Sequence, residues 1–234
     1  MRRLGKRILA GIAACCMVCT TMPEIPVWAD AEGTTYYVDQ DGGNDDASGT
    51  SEAEAWSSLD KINSVTFQPG DRILFQKGDV WTGQLSPKGS GEEGNPIVIG
   101  AYGEGDERPR IDGNNWCGED GDDLENRIFN SAVYFYNQEY WEITSLEVTN
   151  RIPGDNPDDH IKKYGILIMG EDAGTLRHMY CQNLYVHDVV SHPIGQQAGI
   201  GRGGIIYIIR GNQVPTNWDD IVVEDNYVGP NINH

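Results

Sequence analysis

Ile143-Thr144-Ser145-Leu146-Glu147-Val148-Thr149-Asn150 returns as Cys181-Gln182-Asn183-Leu184-Tyr185-Val186-His187-Asp188, and on the same pattern as Trp218-Asp219-Asp220-Ile221-Val222-Val223-Glu224-Asp225. Leu146 to Leu184 is 38 residues and Leu184 to Ile221 is 37, so the period is nearly constant. A second element alternates with the first: Gly165-Ile166-Leu167-Ile168 and, 39 residues on, Gly204-Ile205-Ile206-Tyr207. Two distinct short strands sharing one period describe a stacked coil rather than a series of hairpins, because a single coil cannot bury its apolar face alone. Alternation along a strand points Leu146/Val148, Leu184/Val186 and Ile221/Val223 inward, and Glu147/Thr149, Tyr185/His187 and Val222/Glu224 outward. Asn150, Asp188 and Asp225 follow the reference apolar residue by four, so a polar ladder is expected at that corner.

Upstream, short apolar runs are cut by Gly, Pro and Asp: Arg72-Ile73-Leu74-Phe75, Val80-Trp81, Pro96-Ile97-Val98-Ile99 and Arg110-Ile111. These read as strands separated by turns. Thr35-Tyr36-Tyr37-Val38 opens the pattern, and Asp39 to Ser48 reads as a loop. One helix is predicted, with Ser51-Glu52-Ala53-Glu54 at capping-box spacing, Trp56, Leu59 and Ile62 on one face, and an end near Val65. Such a helix would cover an exposed sheet edge.

Met1 to Arg7 holds four basic residues, an apolar run follows from Ile8 to about Thr21, and Val27-Trp28-Ala29 has small residues at a cleavage site, so residues 1–29 read as an export signal. Ile12-Ala13-Ala14-Cys15 offers the alternative of a lipid anchor on Cys15. The organisation expected is thus a signal at 1–29, an N-terminal cap with the first coils at 30–125, and repeat coils at 126–234 that stop without a recognisable cap. An uncapped last coil is expected to fray or to self-associate. Removing the signal takes away four bases and one acid, leaving 13 Lys+Arg against 35 Asp+Glu. That field disfavours nucleic acid and anionic membranes and suits neutral or cation-bridged ligands. Cys117 and Cys181, the cysteines beyond the signal, match no zinc spacing and no disulfide framework.

At these residues the chain resembles secreted right-handed parallel β-helix proteins of the pectate-lyase-like superfamily. The resemblance also rests on Pro69-Gly70-Asp71, Gly78-Asp79-Val80-Trp81, Gly83-Gln84-Leu85, Gly89-Ser90-Gly91, Tyr102-Gly103 and Ile111-Asp112-Gly113. It implies an all-β solenoid with a cap containing one short α-helix. It also implies an extracellular polysaccharide as partner, with polysaccharide lyases, glycoside hydrolases and non-catalytic binding modules all represented.

Adjacent coils lie about 4.8 Å apart, which would make Thr149, His187 and Glu224 neighbours in one outward column. A His beside a carboxylate can act as general acid or base; the alternative is a solvated polar face with an incidental His. Lyases of the superfamily use Arg or Lys as base. Arg202 is the candidate carried forward, in the Gly-rich segment Ser191 to Gly204, with Arg210, Lys162 and Lys163 also available. Asp155, Asp158 and Asp159 concentrate carboxylates as Ca²⁺ requires. Tyr185, Trp116 and Trp218 are candidates for stacking on sugar rings.

Overall fold

The computed structural model describes residues 33–117, 123, 125, 126, 128–151, 163–190 and 203–229. The expected signal, with Cys15, lies outside the described residues. In chain order the elements are β1 (Thr35–Val38), a 3-10 turn (Glu52–Glu54), α1 (Leu59–Ser64), β2 (Thr66–Phe67), β3 (Arg72–Gln76), β4 (Val80–Thr82), β5 (Lys88–Gly89), β6 (Ile97–Tyr102) and β7 (Arg110–Asp112). They continue as β8 (Ser131–Tyr136), β9 (Trp141–Thr144), β10 (Glu147–Asn150), β11 (Tyr164–Glu171), β12 (Thr175–Gln182), β13 (Tyr185–Val189), β14 (Gly203–Arg210), β15 (Asn217–Glu224) and β16 (Tyr227–Val228).

Three main sheets run along the stack, ordered β1-β3-β6-β9-β12-β15, β16-β13-β10-β7-β4 and β14-β11-β8. All of these strands pair in parallel, each with the strand one coil away. This is a parallel β-helix, all-β apart from α1 and the 3-10 turn. Leu146, Val148, Leu184 and Val186 are buried in one column set, as their alternation requires. The second predicted repeat also holds, with Ile166, Leu167 and Ile168 opposite Ile205, Ile206 and Tyr207. β11 is buried along its whole length, its residues divided between the solenoid core and a second cluster of Phe129, Tyr134, Tyr164, Leu167 and Met169. A strand covered on both faces reads as a continuous apolar run. The outward faces of the six- and five-stranded sheets are left to carry polar chemistry.

The third repeat has a different register from the one expected. Tyr185 pairs with Tyr227, which makes Asn226 the counterpart of Leu184 and Leu146; Ile221 instead pairs with Met179, in line with Trp141. Both strands of a coil face the same core and carry the same apolar alternation, so Ile221-Val222-Val223 imitates the Leu-x-Val pattern of the neighbouring sheet. Ile221 and Val223 are 40% and 49% exposed because, among the described residues, β15 is the edge strand of its sheet. Asn226 takes the inward position with its polar groups satisfied: its Nδ2 donates to the Cys181 carbonyl at 2.8 Å and its Oδ1 accepts from the Leu184 amide at 2.8 Å.

The ladder that recurs at a corner stands one residue before Leu146, Leu184 and their counterpart Asn226, not four residues after the reference position. Ser145, Asn183 and Asp225 all turn through positive φ (62°, 50° and 55°) between paired strands. Asn183 Nδ2 donates to Ser145 Oγ at 3.3 Å, and the Ser145 amide donates to the Asn183 carbonyl at 3.2 Å. Asn150 is fully buried instead and ties a second corner together, donating to the carbonyls of Asn130 at 3.0 Å and Tyr164 at 2.9 Å. The helix is shorter than predicted. Ser58, not Ser51, caps it, accepting from the Lys61 amide, and Trp56 precedes it in a bridge to Val38. Among the described residues no helix is long and apolar enough to cross a membrane.

Candidate functional site on the five-stranded face

Register alone assembles this site. Val80, Arg110, Glu147, Tyr185 and Tyr227 occupy one outward column on successive coils, and Thr82, Asp112 and Thr149 occupy the next. At the following coil the second column meets a β-bulge, because Val148 pairs with Val186 but Asn150 pairs with Val189. Two residues, His187 and Asp188, therefore oppose one, and Asp188 takes positive φ (51°). The bulge redirects both side chains. His187 Nε2 lies 3.1 Å from Glu147 Oε1 on the preceding coil, and its Nδ1 lies 2.7 Å from Asp188 Oδ2.

Charges alternate along the groove that results. Arg110 Nη1 is 3.4 Å from Glu147 Oε1, and Arg151 Nη1 is 3.6 Å from Asp188 Oδ1, so two carboxylates sit between two guanidinium groups and one imidazole. Carboxylates only accept, so both His187 contacts are hydrogen bonds only when the ring carries two protons. The Tyr185 ring stacks on His187 at 4.2 Å between centroids and holds its plane. Arg110 Nε is buried and lacks a hydrogen-bond partner among the described residues. Arg110 also joins two depressions, one of about 470 Å³ over Glu147 and Tyr185 and one of about 210 Å³ over Thr149 and His187.

Of the residues expected from sequence, His187 is in this site and Glu224 is not. Glu224 closes β15 in the six-stranded sheet, where it accepts from Gln182 Nε2 at 2.6 Å, so the column of Thr149, His187 and Glu224 does not form. The one-strand slip in the third repeat accounts for this error. Arg202, Asp155, Asp158 and Asp159 lie outside the described residues, as does Lys162. Lys163, just before β11, is buried and is not presented to a substrate in the groove. Trp218 packs against the core beside Tyr207 rather than on a face, and Trp116 donates its indole N–H to the Phe129 carbonyl. Cys181 forms no disulfide with Cys117; burial pushes its thiol up to about 12, the value of a core thiol rather than a nucleophile.

Glu147, Arg110 and Arg151 were missed as candidates. Glu147 was recoverable, since the repeat already placed it beside Tyr185. Asp188 was read as a turn residue because nothing in the sequence announces the bulge.

The parallel β-helix with polar outward columns is an architecture of carbohydrate-active proteins, and the comparisons with known proteins agree. No family model matches the chain. It is 28% identical to lacto-N-biosidase from Bifidobacterium longum subsp. longum, an alignment covering 76% of this chain and 13% of that protein. The solved GH136 lacto-N-biosidase from Eubacterium ramulus superposes with a TM-score of 0.65 at 28% identity, covering 77% of this chain and 31% of that one. Its native form gives 0.61 at 27% identity, over 76% and 30%. The chain thus spans less than a third of the solved relative and a smaller share of the curated one.

Proposed function

We propose that this chain is part of a glycoside hydrolase that acts on a neutral extracellular glycan, with the sugar lying along the five-stranded face over Tyr185, Arg110 and His187. The observation that carries the reading is the joint sequence and structural similarity to lacto-N-biosidases, over three quarters of this chain in both comparisons. The groove chemistry supports it. Its arginines are paired with carboxylates and the lining as a whole is acidic, within a strongly acidic protein, which suits an uncharged ligand better than a uronate polymer. Tyr185, in the lining of the larger depression, offers a ring for an apolar sugar face. Export, through the signal at residues 1–29, belongs to the same proposal, with Asp30 expected as the first residue of the mature protein.

A second reading, a sugar-binding face without hydrolysis, is favoured by one feature. Glu147 and Asp188 are both engaged by His187 and an arginine, whereas hydrolysis calls for two carboxylates flanking a free glycosidic oxygen.

Calorimetric titration with lacto-N-tetraose and with tetragalacturonate, alongside a reducing-end assay on both, tests the proposal. Binding of the neutral sugar with release of a disaccharide is expected, weakened roughly tenfold in Tyr185→Ala. Binding without release selects the second reading. A preference for the uronate, with an unsaturated product, overturns both.

A further inference from the structure

The six-stranded face carries its own cluster, which the sequence pattern did not single out. Tyr140, His178 and Asp220 precede the paired residues Trp141, Met179 and Ile221, so they share one position on three successive coils. All three take positive φ, at 58°, 54° and 63°. Left-handed backbone is unfavourable for a bulky side chain, yet it recurs here at one position on three rungs.

The side chains then lock together. His178 Nε2 lies 2.9 Å from Glu142 Oε1 and its Nδ1 lies 3.1 Å from Asp220 Oδ2, while the Tyr180 hydroxyl donates to Asp220 at 2.8 Å. Tyr140 and Tyr180 stack on the His178 ring at 5.7 and 3.9 Å. Beside this stack an open depression of about 550 Å³ is lined by Glu93, Gly94, Tyr140, Arg177, His178 and Asp220. Those residues come from four consecutive rungs, so the depression runs along the stack for about 14 Å at the usual strand spacing. At its first rung Gly94 has nothing within 4 Å of where a Cβ would stand, which leaves the floor low beside Tyr140.

We propose that this depression is a second glycan-binding site, separate from the five-stranded groove, that takes a short run of neutral sugar residues laid along the axis. An aromatic ring, a low floor and carboxylates at the first and last of the four rungs match a ligand with an apolar ring face and hydroxyl donors towards both ends. Glu93 and Asp220 are acceptors, and Arg177 is held by Asp219 at 3.7 Å, so the lining repels polyanions. The proposal stands whether or not the five-stranded face cleaves sugar.

The test is a set of calorimetric and NMR titrations of the full chain with cellotetraose, lacto-N-tetraose and tetragalacturonate, on the wild type and on Tyr140→Ala, Asp220→Asn and Tyr185→Ala. A neutral tetrasaccharide is expected to bind, with affinity lowered about tenfold in Tyr140→Ala and several-fold in Asp220→Asn, and with shifts at Arg177 and His178 that survive Tyr185→Ala. Asp220→Asn keeps the side-chain shape and a residue tolerant of positive φ, so it reports on the site even if Tyr140→Ala disturbs folding. No binding by a neutral sugar, tighter binding of tetragalacturonate, or binding lost only in Tyr185→Ala overturns the proposal. Loss at Tyr185 with retention at Tyr140 would leave the five-stranded reading standing alone.

Discussion

His178 and His187 flank one corner of the same coil and meet the same partners in different ways. Each has Nε2 on a Glu of the preceding coil, each has Nδ1 on an Asp, and each stacks on a Tyr two residues away. The difference is where the Asp comes from. Asp188 is the immediate neighbour of His187, so that centre joins two coils, β10 and β13. Asp220 belongs to the next coil, so the His178 centre joins three, β9, β12 and β15. One histidine is therefore a local feature of a groove and the other a tie along the stack. The lesson is that in a solenoid the same residue types acquire different mechanical roles according to how many rungs their contacts cross.

The largest effect expected is on what the two centres share. Leu184, buried beneath the corner between them, becomes an unpaired buried charge in Leu184→Asp, at a cost of about 3–5 kcal/mol. Denaturant unfolding should show that loss, with His178 and His187 resonances disturbed together. Persistence of one centre with a native spectrum would break the idea of a common support.

A smaller effect separates them. His178→Asn, which tolerates positive φ, should speed amide exchange in Ile221 to Val223 about tenfold, while His187→Asn should leave those amides unchanged. Equal effects from both would remove the distinction between a tie and a groove residue. The same measurement on the wild type should find these amides less protected than those of Val148, because β15 is an edge strand among the described residues.

The smallest effect sharpens the electrostatics of the tie. The hydrogen bond to Asp220, assisted by burial, pushes the Tyr180 phenol up to about 12, above the ordinary value of 10.0. A raised value means that the protonated phenol is the bonded form, so its contribution is complete below about pH 10 and is lost as pH rises through about 12. Phenolate absorbance should show one late-titrating tyrosine that moves back towards its ordinary value in Asp220→Asn. No change in that variant would mean that Asp220 does not hold Tyr180.

Much of the fold was legible because periodicity reports directly on stacking. Leu146, Val148, Leu184 and Val186 announced a column by recurrence, and Gly165 to Ile168 with Gly204 to Tyr207 announced a second sheet. The five-stranded site was half legible: His187 and Tyr185 stood on the outward side of a correctly aligned pair of strands, and Glu147 stood beside them. The third repeat was misaligned because two strands of one coil obey the same alternation, and that slip carried Glu224 into a column where it does not belong. The capping box at Ser51 misled for a related reason, since spacing alone does not reveal that Trp56 is held by a bridge to Val38.

Composition and apolar recurrence, then, were enough to establish a stacked parallel solenoid, a core made from every second residue, and a strongly acidic chain. The first two depend on burial, which follows side-chain type and the two-residue period of a strand. The rung-to-rung register, the bulge at Asp188, the left-handed backbone at Tyr140, His178 and Asp220, and hence the pairing of each histidine with its carboxylates, were settled in three dimensions. A bulge adds one residue to one strand and reverses which face every later side chain takes, and the backbone adopts it only when the neighbouring coils are in place to accept it.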